Sequence, residues 1–97
     1  MNQGERLESY TLRLPSEVLL VHAEQDGTPD QVVVFKGYSS SLTRSTAADP
    51  SVPVLSPNAT IHSIDRLRAP YTPQSPVYLE RRIPWSEFAE RLLELGL

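Results

Sequence analysis

Two apolar runs in the first third of the chain constrain its fold most strongly. Residues 17–23 (EVLLVHA) are apolar on both sides of an extended chain, and residues 32–35 (VVVF) form a second, β-branched run. Runs of this length and composition are typical of strands inside a sheet. The segment between them, EQDGTPD, contains Asp26-Gly27 and Pro29, which favour a turn. The sequence therefore predicts an antiparallel hairpin with a connecting loop of about seven residues.

The N-terminal segment alternates between apolar and polar residues. Tyr10, Leu12 and Leu14 are each separated by one polar residue, which is the period of a half-buried strand. Pro15 would end such a strand because it cannot donate a hydrogen bond to a neighbour. The pattern predicts a first strand over residues 10–14.

Two further strands are predicted in the second half of the chain. Residues 59–67 are rich in β-branched residues, but Ile61 and Ile64 are three positions apart. A period of two is broken there, so we expect a bulge near Ser63 or an early end of the strand. Residues 77–81 are predicted to form a short edge strand.

The C-terminal segment has the clearest helical pattern. Trp85, Phe88 and Leu92 recur at helical spacing, and Pro84 suits a first turn, where its missing N–H is not needed. We expect a helix over residues 84–95, with Trp85 in the core.

Together these elements predict an α+β fold in which an antiparallel sheet of four or five strands packs against one C-terminal helix. A barrel-like curl of the sheet is the alternative. We expect a single domain over residues 1–97, with an irregular segment at about 39–58 that leaves room for a short helical turn at 40–43. The predicted core consists of Tyr10, Leu12, Leu14, Leu19, Val21, Val33, Phe35, Ile64, Trp85, Phe88 and Leu92.

The charges are unevenly distributed along the chain. The net charge is −3, but residues 1–35 carry −4, residues 36–82 carry +3 and residues 83–97 carry −2. Eight of the nine basic residues are arginines, whose planar guanidinium suits carboxylates, phosphates and aromatic faces. The basic middle either pairs with the acidic ends of the same fold or faces a partner.

The usual catalytic and cofactor motifs are missing. Without cysteine the chain forms no disulfide or thiolate metal site, which is typical of an intracellular protein. There is no apolar run long enough for a membrane span, and no nucleophile-elbow, dinucleotide or P-loop motif. His22, His62 and Asp65 are zinc-type ligands but lack metal-ligand spacing. We therefore expect no metal, no cofactor and no enzymatic activity. The enzyme alternative requires a pocket with His22 or His62 beside an acid.

The basic middle contains the candidate binding residues, which are Lys36, Tyr38, Arg44, Arg66 and Arg68. Their charge is more than a small core needs. Arg66 and Arg68 would share one face of a strand. Lys36 and Tyr38 would also share a face if the strand continued through Gly37. We predict that all five form one contact surface for a protein partner, since arginine and tyrosine often anchor interfaces. A single-stranded nucleic acid is the alternative ligand, although a sequence pI near 5.3 is unusual for that class.

Four stretches also carry a resemblance to a known family: LESYTLRLPSEVLLVHAE, VVVFKGYSSSLTR, DPSVPVLSPNATIHSIDRLRAPYTP and IPWSEFAERL. The chain resembles an uncharacterised family of small cyanobacterial proteins with relatives in plant chloroplasts. The similarity spans about residues 6–93, although Pro84 replaces the threonine that caps the closing helix in that family. The resemblance implies a cyanobacterial cytosol or chloroplast stroma and a link to photosynthetic complexes. It implies no activity and no functional residues.

Overall fold

The computed structural model describes residues 1–43 and 52–97, and it has an α+β architecture with two layers. Its elements in chain order are α1 (Gln3–Arg13), β1 (Glu17–Gln25), β2 (Thr28–Phe35), β3 (Tyr38–Ser41), β4 (Thr60–Arg68), β5 (Tyr78–Pro84) and α2 (Trp85–Glu94). The strands form one antiparallel sheet in the order β3-β2-β1-β4-β5. The predicted fold class is confirmed, and because β3 and β5 are the sheet's two edges, the sheet is open rather than a barrel.

Both helices pack on the same face of this sheet. Leu7 and Tyr10 of α1 and Phe88 and Leu92 of α2 are buried in one cluster with side chains from β1, β2, β4 and β5. We call this side of the sheet the helix face. The opposite side, the open face, has a smaller cluster of its own around Val18, Leu20 and Leu67.

The N-terminal segment is a helix and not the predicted strand. Asn2 caps α1 reciprocally with Glu5: its side chain accepts from the Glu5 N–H, and the Glu5 carboxylate accepts from the Asn2 N–H. The residues that α1 buries are Gly4, Leu7, Tyr10 and Thr11, at helical spacing. The prediction of residues 10–14 as a strand is therefore wrong.

The two hairpins of the sheet have tight turns in place of longer connections. Only Asp26 and Gly27 separate β1 from β2, so the predicted seven-residue loop is wrong. Lys36 and Gly37 likewise separate β2 from β3, and all four residues have positive φ angles, between 48° and 83°. Two successive positive φ angles define the type I′ turn, which matches the twist of paired strands.

Two possibilities that the sequence left open are not realised around the second turn, because β2 stops at Phe35. The chain does not continue as one strand through Gly37, since it reverses there. The proposed helical turn at residues 40–43 is also wrong, because Tyr38–Ser41 is β3, which occupies the start of the segment that was expected to be irregular. The part of that segment at 44–51 lies outside the described residues.

The irregular spacing of β4 is due to a bulge, which is one of the two explanations that the sequence left open. Ser63 pairs with His22 and Ile61 pairs with Ala23, so His62 is an extra residue on β4. The bulge lets Ile61 and Ile64 both reach the cluster on the helix face despite their spacing of three.

Most of the predicted core is confirmed, with one clear exception. Tyr10, Leu19, Val21, Ile64, Phe88 and Leu92 are buried, while Leu14 and Trp85 are partly buried at the edge of the same cluster. Val33 and Phe35 are partly buried on the open face. Leu12 is 64% exposed, because it lies at the edge of α1 beside the turn at Gly37 and not over the sheet.

Candidate functional site

The open face of the sheet is the part of the described structure that has no helix over it. Tyr71 and Tyr78 pack against its buried cluster, so aromatic rings cover part of β1 and β4. Tyr38 in β3 is 80% exposed, although its strand partner Phe35 is half-buried. A solvent-exposed tyrosine at the edge of a partly apolar face is a common feature of binding surfaces.

Three of the five predicted binding residues come together at one end of the sheet. Leu19 pairs with Val34, so Lys36, two residues further on, comes level with Glu17. Glu17 in turn pairs with Arg68 at the end of β4. Lys36 and Arg68 thus lie on either side of β1, about 10 Å apart at the backbone given the usual strand spacing, and Tyr38 lies next to Lys36.

Two cations near this end, Lys36 and Arg81, lie close to aromatic rings. The Lys36 amino group is 5.3 Å from the centre of the Phe35 ring. The Arg81 guanidinium is 4.1 Å from the centre of the Tyr78 ring. Tyr78 belongs to the cluster on the open face, so Arg81 extends over that face. We call the set of Lys36, Tyr38, Arg68 and Arg81 the basic rim.

Arg66 has a different environment, because it lies on the helix face. It shares that face with Arg68, as predicted, since β4 stays extended through both. Its guanidinium donates two hydrogen bonds to the Glu17 carboxylate, at 2.7 and 2.8 Å, and a third to Glu80. The hydrogen bonds to Glu17 raise the pKa of Arg66 above its usual value. The same hydrogen bonds are the main cause of the lowered pKa of Glu17, and they outweigh the opposite effect of its burial.

The ion pairs of Arg66 continue into both helices. The Tyr10 hydroxyl donates to Glu17 at 2.8 Å, and burial together with that carboxylate raises the pKa of Tyr10 to about 12. On the other side, Arg91 donates two hydrogen bonds to Glu80. Arg91 and then Arg66 lower the pKa of Glu80 to about 2. We call these residues, with Glu87 as the second carboxylate at Arg91, the helix-face ion network.

The predicted five-residue surface is therefore only partly assembled by the structure. Lys36, Tyr38 and Arg68 share one end of the sheet, and Arg68 lies on the helix face there. Arg66 lies on the same face, but it is engaged by Glu17 and Glu80. Arg44 lies outside the described residues. Sequence reasoning did not identify Arg81 as a binding residue. The only available signal was that Arg81 lies three residues after Tyr78 in a predicted edge strand.

The described basic residues divide into two groups of four. Arg6 and Arg13 donate to backbone carbonyls within α2 and just after it, and Arg66 and Arg91 bind carboxylates. In the other group, which consists of Lys36, Arg68, Arg81 and Arg82, no member forms a salt bridge within residues 1–43 and 52–97. All four of these belong to the sheet layer and are exposed.

A histidine and a buried carboxylate form a second polar feature on the open face. His22 Nε2 lies 2.8 Å from Asp65 Oδ2, and Asp65 Oδ1 accepts from the Arg82 N–H at 2.7 Å. Asp65 is 2% exposed, whereas the His22 side chain is 31% exposed. A histidine beside an acid is the arrangement that the enzyme alternative requires. Sequence reasoning considered both residues but had no spacing that would pair them.

The described residues contain neither a metal-binding cluster nor a helix that could span a membrane. No group of three histidine, aspartate or glutamate side chains in the described ranges is arranged to hold a metal ion. Neither helix found there is long and apolar enough to cross a membrane.

Comparison with known proteins gives one match. A family model described as "Domain of unknown function (DUF7734)" matches residues 4–92, which is nearly the whole chain. No curated protein and no solved structure matches the chain.

Proposed function

We propose a non-catalytic accessory or adaptor role for this chain, which belongs to the DUF7734 family of domains of unknown function. In this role the basic rim binds an acidic segment of a protein partner. The observation that carries the proposal is the group of four cations in the sheet layer that form no salt bridge within the described residues. Lys36 lies beside the 80%-exposed Tyr38, Arg68 lies on the other side of β1, and Arg81 and Arg82 belong to β5 at the opposite edge of the sheet.

The different contacts of the basic residues support this assignment. Arg66 and Arg91 already serve the fold, because each is held by carboxylates. Lys36, Arg68 and Arg81 have no comparable structural role, and a cation without an internal partner is available to a carboxylate of another protein. Arginine and tyrosine also supply a large share of binding energy at interfaces.

The distribution of acids favours one orientation of an acidic partner. Exposed glutamates lie on the helices, at Glu5, Glu87, Glu90 and Glu94, and would repel it from the helix side. The resemblance to cyanobacterial and chloroplast proteins supports the cyanobacterial cytosol or the chloroplast stroma as the compartment. It also makes a photosynthetic complex the first partner to examine.

The proposal is tested by removing charge from the rim without touching the helix-face ion network. We expect the double variant Lys36→Gln/Arg68→Gln to lose most of its captured partner in quantitative affinity purification from cyanobacterial lysate. The matched control is Ser86→Glu/Asn58→Glu, which changes the net charge equally at two exposed positions away from the rim. Equal capture by the folded rim variant and the control would refute the proposal. Arg66→Glu is unsuitable, because it would bring like charges together at Glu17 and Glu80.

A single-stranded nucleic acid is the second candidate partner, favoured by the cation–aromatic pairs of Lys36 with Phe35 and Arg81 with Tyr78. Its signature is steep salt dependence, because each neutralised phosphate releases a counterion. Fluorescence polarisation with a labelled oligouridylate over a range of salt concentrations measures this directly. Tight, salt-sensitive binding that Lys36→Gln/Arg68→Gln abolishes would assign the rim to nucleic acid instead of protein.

A further inference from the structure

The fold does not require the hydrogen-bonded pair of His22 and Asp65 for its stability. A buried carboxylate adds little stability by itself, since hydrogen bonds must replace the hydration that it loses. Yet Asp65 is 2% exposed and has a partner for each oxygen, His22 on one and the Arg82 N–H on the other. These contacts fix the carboxylate and, through it, the orientation of the His22 ring.

The bond to Asp65 also determines which nitrogen of His22 is available. A carboxylate only accepts hydrogen bonds, so Nε2 is the donor in this pair. In the neutral imidazole the other nitrogen, Nδ1, then has a free lone pair. No hydrogen-bond partner from residues 1–43 or 52–97 reaches Nδ1.

The ring of His22 lines a shallow depression of about 360 Å³ on the open face. Gln31 lies opposite His22 across the β1–β2 pair, and His62 lines the same depression from the bulge of β4. The volume is at the lower end of the range for small-ligand sites. This end of the sheet is the one away from the basic rim, because His22 and Gln31 lie toward the β1–β2 turn.

We propose that this depression binds a cationic nitrogen group, an alkylammonium or a guanidinium. Such a group only donates hydrogen bonds, which complements the lone pair of His22 Nδ1 and the amide oxygen of Gln31. The nearby charges favour a cation. Glu24 is exposed, with its Oε1 3.9 Å from His62 Nε2, and Asp65 lies behind the ring. The group belongs either to a free small amine or to a lysine or arginine side chain of another protein.

The experiment follows the ring nitrogens of His22 by ¹⁵N NMR during titration. The probes are n-butylammonium and methylguanidinium for free amines, and the peptide Gly-Ser-Lys-Ser-Gly for a protein side chain. We expect saturable shifts of the Nδ1 signal with a dissociation constant of about 1 mM, a reasonable strength for fragments of this size. Butyrate, an anion of similar size, serves as the control probe. Stronger binding of the peptide than of the free amines would identify a protein side chain as the source.

The decisive variant is Asp65→Asn, which keeps the shape of the pair but reverses the direction of the hydrogen bond to His22. The asparagine oxygen still accepts from the Arg82 N–H, while its NH₂ donates to His22 Nε2 and moves the ring proton to Nδ1. The lone pair is lost, so we expect affinity for the cations to fall at least tenfold while the tautomer change appears in the ¹⁵N shifts. His62→Gln, which leaves the pair intact, is the folded control.

Two outcomes would overturn the proposal. One is the absence of saturable shifts at His22 with every cationic probe. The other is unchanged cation binding in Asp65→Asn once the ¹⁵N spectrum shows the new tautomer. Because the rim variants leave His22 and Asp65 untouched, failure here is distinguishable from failure of the proposed partner-binding role.

Discussion

Gly37 shows how a single residue connects the first helix to the sheet. Its φ angle of +83° suits glycine, and a Cβ placed there would lie 3.0 Å from Leu12 Cδ2. Its N–H also donates to Thr11 Oγ1 at 2.9 Å. The turn between β2 and β3 therefore lies directly against α1, and the position demands glycine for two separate reasons.

Gly37→Ala should cost more stability than Gly27→Ala, which serves as its matched control. Gly27 has a similar φ of +74° but no atom within 4 Å of the added Cβ, so its substitution measures backbone strain alone. That strain costs about 1–2 kcal/mol. Gly37→Ala adds the contact with Leu12, and urea denaturation of both variants gives the difference. In a Leu12→Ala background the two costs should converge, and equal costs in the wild-type background would contradict the predicted contact.

At the scale of elements, α1 is where sequence patterns were most misleading. Tyr10, Leu12 and Leu14 alternate as in a strand, but the capping by Asn2 and Glu5 and the burial of Leu7 define a helix. A short alternating segment fits both periods, and only contact with the rest of the sheet decides between them.

Substitutions at Leu7 and Leu12 distinguish the helix from the predicted strand. Leu7 is fully buried, so Leu7→Ala should cost about 2–5 kcal/mol. Leu12 is 64% exposed, so Leu12→Gln should cost less than about 1 kcal/mol. Chemical denaturation measures both values. A cost for Leu12→Gln as large as that for Leu7→Ala would favour the strand.

Elements with long, unambiguous patterns were predictable, namely β1, β2, β4 with its bulge, and α2. The strand β3 was not, because its sequence is YSSS and its pairing depends on a two-residue turn whose first position is Lys36. Lysine is uncommon at positive φ, so a type I′ turn at this position was hard to predict.

At the scale of the whole molecule, the helix-face ion network joins five elements from the two ends of the chain and its middle. Tyr10 of α1, Glu17 of β1, Arg66 of β4, Glu80 of β5 and Arg91 of α2 form one continuous set of hydrogen bonds. The candidate site was harder to predict for the same reason. Charge excess suggested Arg66 as a binding residue, but only the register of β4 against β1 and β5 shows that Glu17 and Glu80 neutralise it.

The network makes stability depend on pH in the acidic range. The pKa of Glu80 falls from 4.5 to about 2 in the folded protein, and the pKa of Glu17 is lowered as well. A carboxylate with a depressed native pKa stabilises the fold above its unfolded pKa, and this contribution is lost as the pH falls toward the native value. We expect the urea midpoint to be steady near neutrality and to fall between about pH 5 and pH 2.

Glu80→Gln should be less stable than wild type at pH 7 and should show a shallower decline in acid. Glu90→Gln is the control, since Glu90 is an exposed residue of α2 with no salt bridge to any described residue. Parallel pH profiles for wild type and Glu80→Gln would show that Glu80 contributes nothing to the acid response.

Both ends of the described chain lie behind the sheet. Arg6 of α1 donates through Nε to the carbonyl of Leu97 at 2.8 Å, so the first helix and the last residue are adjacent on the helix side. A fusion partner, fluorophore or surface linker attached at either end would therefore leave the open face unobstructed. Immobilised in this way, every molecule on a sensor chip would present the basic rim and the His22 depression to the solution in the same orientation.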